Sequence, residues 1–128
     1  MGLNLVAAIA VGGAVGAVAR YGVIIAATHW LGSGFPWGTL AVNVVGSFVL
    51  GALAEAMALA WSPGDALRAL LVVGMLGAFT TFSTFSLDVV VLAQRGETAV
   101  AALYVVASVA LSVLGLLAGL AVVRQLLA

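Results

Sequence analysis

Long apolar runs separated by short, turn-forming breaks divide this chain into four segments. Each is about the length of 20 mostly apolar residues that a membrane-spanning helix requires, and they cover residues 3–27, 38–60, 66–93 and 98–123. The breaks carry turn chemistry: Gly32-Ser33-Gly34-Phe35-Pro36, Ser62-Pro63-Gly64-Asp65 and Gln94-Arg95-Gly96-Glu97. Asp65 is placed to cap the third helix. Trp30, Trp37 and Trp61 fall at span ends, where indole rings favour the headgroup region. Breaks this short predict antiparallel neighbours, with both termini on one side. The pattern as a whole predicts an all-α integral membrane protein, a single four-helix transmembrane domain over residues 1–128.

The third span departs from this pattern in residues 77–86, Gly-Ala-Phe-Thr-Thr-Phe-Ser-Thr-Phe-Ser, where five hydroxyl side chains and three phenylalanines interrupt an apolar run. Membrane interiors tolerate polar or non-helical backbone only where protein buries it or a wet cavity borders it. Phe79, Phe82 and Phe85 recur every third residue, so on one continuous helix they stagger along one side. Hydroxyl donors and aromatic edges with no charge between them suit the lining of a path for a small anion.

Two further polar ladders bear on that reading. Thr39, Asn43 and Ser47 follow one another at i+4 in the second span, and Tyr104, Ser108 and Ser112 do so in the fourth. Each ladder puts its polar groups on one helix face. Either could be interhelical glue, and Gly115 and Gly119 continue the second ladder's face with residues small enough for close packing. Asn43 reads either as a clamp or as an amide donor on a wet path, because a buried amide needs partners for two donors and a carbonyl. Two separate ladders in one small chain favour the pore reading. Arg20 is the only charge well inside a span, on the side that carries Gly12 and Gly16. It is either functional or a side chain snorkelling to the interface. Glu55 and Asp88, near span ends, are candidates to pair with arginines, and His29 reads as an exposed loop residue. No nucleophile has a positioned base, and no His/Glu cluster suits a transition metal, so the pattern is not that of an enzyme. A small proton-coupled exporter would require an acidic residue deep in the first span, which has none.

Composition narrows the class. Hydrophobic residues make up 66% of the chain and charged residues 6%, with a mean hydropathy of +1.36, against roughly 25% charged in soluble domains. The absence of cysteine excludes disulfides and thiolate chemistry, and zero net charge argues against a nucleic-acid partner. The first segment lacks a basic leader and is longer than a signal-peptide core, so it reads as a retained span. Arg68 and Arg124 fall on the terminal side, and Arg95 on the other, joined by Arg20 if that side chain reaches toward the near end of its span. This balance gives the positive-inside rule nothing to act on and predicts insertion both ways with an antiparallel dimer, unless lipid or another factor fixes one orientation.

Three stretches carry a family resemblance: Gly12-Gly13-Ala14-Val15-Gly16-Ala17-Val18-Ala19-Arg20-Tyr21, Gly38-Thr39-Leu40-Ala41-Val42-Asn43-Val44-Val45-Gly46 and Gly77-Ala78-Phe79-Thr80-Thr81-Phe82-Ser83-Thr84-Phe85. They resemble the CrcB/Fluc fluoride channels, by motif over three spans and by length and hydropathy over the whole chain. The resemblance implies a multi-pass protein of the inner or plasma membrane. It implies a third helix broken near mid-membrane and an antiparallel, dual-topology homodimer with two fluoride pores that passively export cytoplasmic fluoride and confer resistance. It further implies that Phe82 and Phe85 turn ring edges to the ion and that Thr39, Asn43, Tyr104, Ser108 and Ser112 form the polar lining. Arg20 would belong to a vestibule. Backbone carbonyls of Gly77 and Thr80 from both chains would hold a structural sodium ion. The rival readings are a non-transporting assembly subunit whose polar stripes are glue, and a small alternating-access exporter.

Overall fold

The structure is a computed structural model and describes residues 2–127; the first and last residues of the expected domain lie outside the described residues. It is all-helical, and four helices are long and apolar enough to cross a membrane. They are α1 (Leu3–Leu31), α2 (Trp37–Leu59), a third span (Asp65–Gln94) and, last in the chain, Thr98–Leu127. The third span is composite. Asp65–Arg68 is α-helical, Ala69–Leu76 is π-helical and Gly77–Phe79 returns to α geometry. We call residues 65–79 together α3, Phe82–Gln94 α4 and Thr98–Leu127 α5. Thr80 and Thr81, between α3 and α4, have extended backbone.

Helices satisfy their backbone polar groups internally, which suits an apolar surround, and large apolar side chains on every helix face outward. What holds the helices together is close backbone approach at glycine. The two most extensive pairings are α1 with the π-helical part of α3 and α2 with α5. In the first, a methyl group at Gly12 would meet the Leu70 carbonyl and one at Gly16 the Met75 carbonyl. In the second, a methyl at Gly51 would meet the Leu116 carbonyl and one at Gly119 the Phe48 carbonyl. Small residues at such seams let dispersion replace the hydrophobic driving force that lipid does not supply. At one end of the second pair, Arg124 forks onto Glu55, with Nε donating to Oε1 at 3.3 Å and Nη2 to Oε2 at 3.2 Å.

Several expectations are corrected. Asp65 is not the N-cap: Gly64 holds that place with extended backbone, and no side-chain cap bond forms. Starting the helix one residue earlier leaves the Asp65 carboxylate in the first turn, where the helix dipole still favours it. His29 is not in a loop but in the last turn of α1, exposed, because no breaker precedes Gly32. Phe79 does not share one helical stripe with Phe82 and Phe85, because extended Thr80 and Thr81 intervene and reset the angular register. Asp88 has Tyr104, not an arginine, as its partner.

Candidate functional site

The site is built around the extended step at Thr80 and Thr81. Its backbone is held from α2 by Asn43, whose Oδ1 accepts from the Thr81 N–H at 2.8 Å and whose Nδ2 donates to the Thr81 carbonyl at 3.0 Å. The amide thus makes a two-bond clamp on the backbone of one residue and keeps one N–H free. From α1, Arg20 Nε donates to the Ala78 carbonyl at 3.0 Å, and its Nη1 approaches Thr84 Oγ1 at 3.5 Å. Arg20 is half-buried and reaches inward; it does not snorkel. The Thr81 hydroxyl caps α4 by accepting from the Thr84 N–H at 3.2 Å.

Beside this step runs a groove of about 340 Å³. It is lined by Asn43 and Ser47 of α2, Thr80, Thr81, Phe82 and Phe85 of the third span, and Ser108 and Ser112 of α5, together with two valines. No charged side chain lines it. Phe82 stands 77% exposed on the chain and Phe85 only 8%; their ring centroids are 5.5 Å apart. Ser108 Oγ is buried with no hydrogen-bond partner among the described residues. That is costly for a hydroxyl unless a ligand or water completes it.

The other hydroxyls of residues 77–86 are used locally. Thr80 Oγ1 donates to the Leu76 carbonyl at 3.0 Å, and Ser86 Oγ to the Phe82 carbonyl at 3.0 Å. Helical hydroxyls often bond back to their own turn, so these two are not free donors to the groove.

Two expected lining residues lie beyond the groove. Tyr104 is fully buried, stacked obliquely on Phe85 with centroids 5.2 Å apart, and its hydroxyl donates to Asp88 Oδ2 at 2.9 Å. Thr39 is buried one turn before Asn43 in α2 and lines a separate mouth cavity of about 200 Å³ with Thr84, Asp88 and Arg95. Arg20 is not among the side chains lining the mouth cavity. Ser47 and Thr81 are the polar groove residues that the sequence did not mark as site residues, beside the apolar Val109 and Val113. Ser47 was visible as the third rung of its ladder, and Thr81 as a threonine three residues before Thr84 at a helix start.

Gly77 and Thr80 border a third, smaller notch of about 150 Å³ on the other side of Ser47. In an unbroken helix their carbonyls would accept from the N–H groups of Thr81 and Thr84. Here those donors go to Asn43 Oδ1 and Thr81 Oγ1 instead. Both carbonyls therefore lack their helical partners, and Gly77 is exposed at the chain surface. Such oxygens suit a hard cation.

Comparison with known proteins places this architecture. The family model described as CrcB-like protein, Camphor Resistance (CrcB), matches residues 7–120. A protein of Rhodospirillum centenum described as fluoride-specific ion channel FluC is 53% identical over 98% of this chain and 100% of its own length. Proteins with the same description from Nitrobacter winogradskyi and a Chelativorans species are 53% and 54% identical over 94% and 93% of this chain, covering 96% and 95% of their own lengths. With a matching family model over most of its length and full-length relatives above half identity, the chain belongs to the CrcB family.

Proposed function

We propose that this chain is a fluoride-selective channel that lets cytoplasmic fluoride leave passively and so confers fluoride resistance. The observation that carries the reading is Ser108 Oγ, a buried hydroxyl without a partner among the described residues, beside a groove whose described lining carries no charge. Fluoride is small and tightly hydrated, so a dry path must replace its water shell with donors. The Ser108 hydroxyl and the free Asn43 N–H supply two. The positive edges of Phe82 and Phe85 add a weaker attraction. A fixed cation among them would hold the ion too firmly, whereas conduction needs several weak sites. The relatives carry the matching description.

The working unit in this proposal is an antiparallel homodimer of chains inserted in opposite orientations, in the inner or plasma membrane, with the third helix broken near the bilayer centre. Two features support it. The extended step and the polar groove open on the chain surface, and lipid cannot cover either. The end arginines are close to even, Arg68 and Arg124 against Arg95, with Arg20 turned inward. The Gly77 and Thr80 carbonyls of both chains would hold a sodium ion, which fits oxygens deprived of helical donors and would tie the two chains together.

Efflux from proteoliposomes tests the function. With a potassium ionophore discharging the voltage, fluoride should leave rapidly and chloride should stay. No efflux, equal loss of both ions, or a requirement for a counter-ion gradient would overturn the reading. Reporters fused to the C-terminus test the topology and should signal on both sides of the membrane; signal on one side alone would overturn dual insertion.

A further inference from the structure

We infer that Arg20 is a positioning residue for conduction: its guanidinium, reaching from α1, holds the Ala78 carbonyl and so sets the angle at which α4 presents Phe82 and Phe85 to the groove. The inference rests on the proposed channel function for its flux readout. Ending α3 at Phe79 leaves the Ala78 carbonyl without the N–H of Phe82, its partner in a continuous helix. A buried carbonyl left unpaired is costly, and the Arg20 Nε takes it at 3.0 Å. The same planar head reaches toward Thr84 Oγ1 in the first turn of α4. One side chain therefore bridges both sides of the extended step.

Asn43 holds Thr81 from the other direction. The step is pinned between two helices by three strong polar bonds, one from α1 and two from α2. The seam beneath Arg20 makes its reach reproducible, because Gly12 and Gly16 bring α1 to backbone contact with Leu70 and Met75 immediately before the step. Arg20 is absent from the linings of both the groove and the mouth cavity, so its effect on the ion runs through the backbone it holds.

The test must separate positioning from a merely attractive charge. Arg20→Lys keeps the charge but loses the planar fork and its Nε donor; Arg20→Gln loses the charge as well. Two measurements are made on reconstituted full-length protein: fluoride efflux over a range of fluoride concentrations, and hydrogen exchange of the backbone amides in residues 78–86. Arg68→Lys, an exposed arginine at the far end of α3, serves as the control. Positioning predicts that Arg20→Lys lowers maximal flux by about tenfold and speeds exchange in residues 78–86 by about tenfold, the loss expected for one charge-assisted hydrogen bond, and that more fluoride restores neither. An attractive charge predicts normal flux and exchange in Arg20→Lys, and a loss in Arg20→Gln that saturating fluoride overcomes; that result overturns the inference. Unchanged exchange in both variants overturns it as well. If both variants fail to assemble, Thr84→Val, which removes only the weaker contact, must still speed exchange locally, and an unchanged profile there also refutes positioning. Should the unsubstituted protein pass no fluoride, the channel reading fails while the exchange measurement still decides the role of Arg20.

Discussion

Asn43 on α2 and Ser108 on α5 are the middle rungs of two ladders with the same spacing, and both line one groove, yet their polar atoms are used differently. The Asn43 amide is engaged on both sides by the Thr81 backbone, its N–H and its carbonyl, whereas Ser108 Oγ is buried and engaged by nothing among the described residues. The two readings weighed for each ladder, clamp and ion path, are thus divided between them. α2 mainly holds the irregular backbone in place, and α5 mainly offers an unfilled donor. Spacing alone cannot distinguish these roles; the partners of each atom do.

The sharpest way to break this contrast is Asn43→Asp. The carboxylate still accepts from the Thr81 N–H but presents no donor to the Thr81 carbonyl, and it places an anion beside the path. Fluoride flux should fall by about 100-fold or more, from a lost buried bond combined with charge repulsion, and the step should loosen in hydrogen exchange. Normal flux in a folded Asn43→Asp protein would show that Asn43 neither shapes nor borders the path.

Ser108→Ala should act on transport alone. It removes a donor that no described residue uses, so flux should fall by about tenfold while thermal stability stays level or rises by about 1 kcal/mol. Ser108→Thr keeps the hydroxyl and should retain most of the flux. A melting temperature that falls as far as that of Asn43→Ala would erase the distinction between the two rungs.

The phenylalanines sharpen the comparison further. Phe82→Ile should reduce flux by about 2- to 10-fold, the range set by weak ring-edge attraction, with little cost to the fold of a side chain so exposed. Phe85→Ile should lower both flux and stability, because that ring is packed on Tyr104. Phe79→Ile, with its ring against Gly46, is the control and should leave flux near normal. The smallest effect is expected from Tyr104→Phe, whose hydroxyl points to Asp88: flux should change by about 2-fold, with a stability loss of about 1 kcal/mol. A loss as large as that of Ser108→Ala would mean that the α5 ladder serves the ion as one unit.

Much of this was legible in the sequence, and what was not has identifiable causes. The four long helices follow from apolar run length. They extend past the expected spans where nothing stops them: α1 continues to Leu31 because the first breaker is Gly32, and α5 continues to Leu127 past Arg124, whose head is anchored on Glu55. The ladders and the unusual segment at residues 77–86 stood out because polar groups are conspicuous in apolar runs. Which polar atom meets which was not legible, since the Asn43–Thr81 and Arg20–Ala78 bonds join residues far apart in sequence and depend on packing. Periodicity placed Phe79 on a common stripe because it assumes an unbroken helix. Nothing in Ala-Leu-Leu-Val-Val-Gly-Met-Leu, with no proline and one glycine, announces a π-helix.

That π-helical stretch has a consequence for which insertions and deletions the gene can tolerate. A π segment is an α-helix with a residue too many for its turns, and removing one residue from Ala69–Leu76 would let it relax to α geometry. Each residue of an α-helix turns the chain by about 100° and a residue of the wider π turn by less, so the two changes offset and everything downstream would keep nearly its present face toward α1. The loops at residues 32–36 and 60–64 can absorb a change in length without rotating any helix. The α-helical residues 77–79 have no such slack: a residue lost there would swing the extended step by about 100°, and an alignment gap at that point would mark a protein whose groove is built differently.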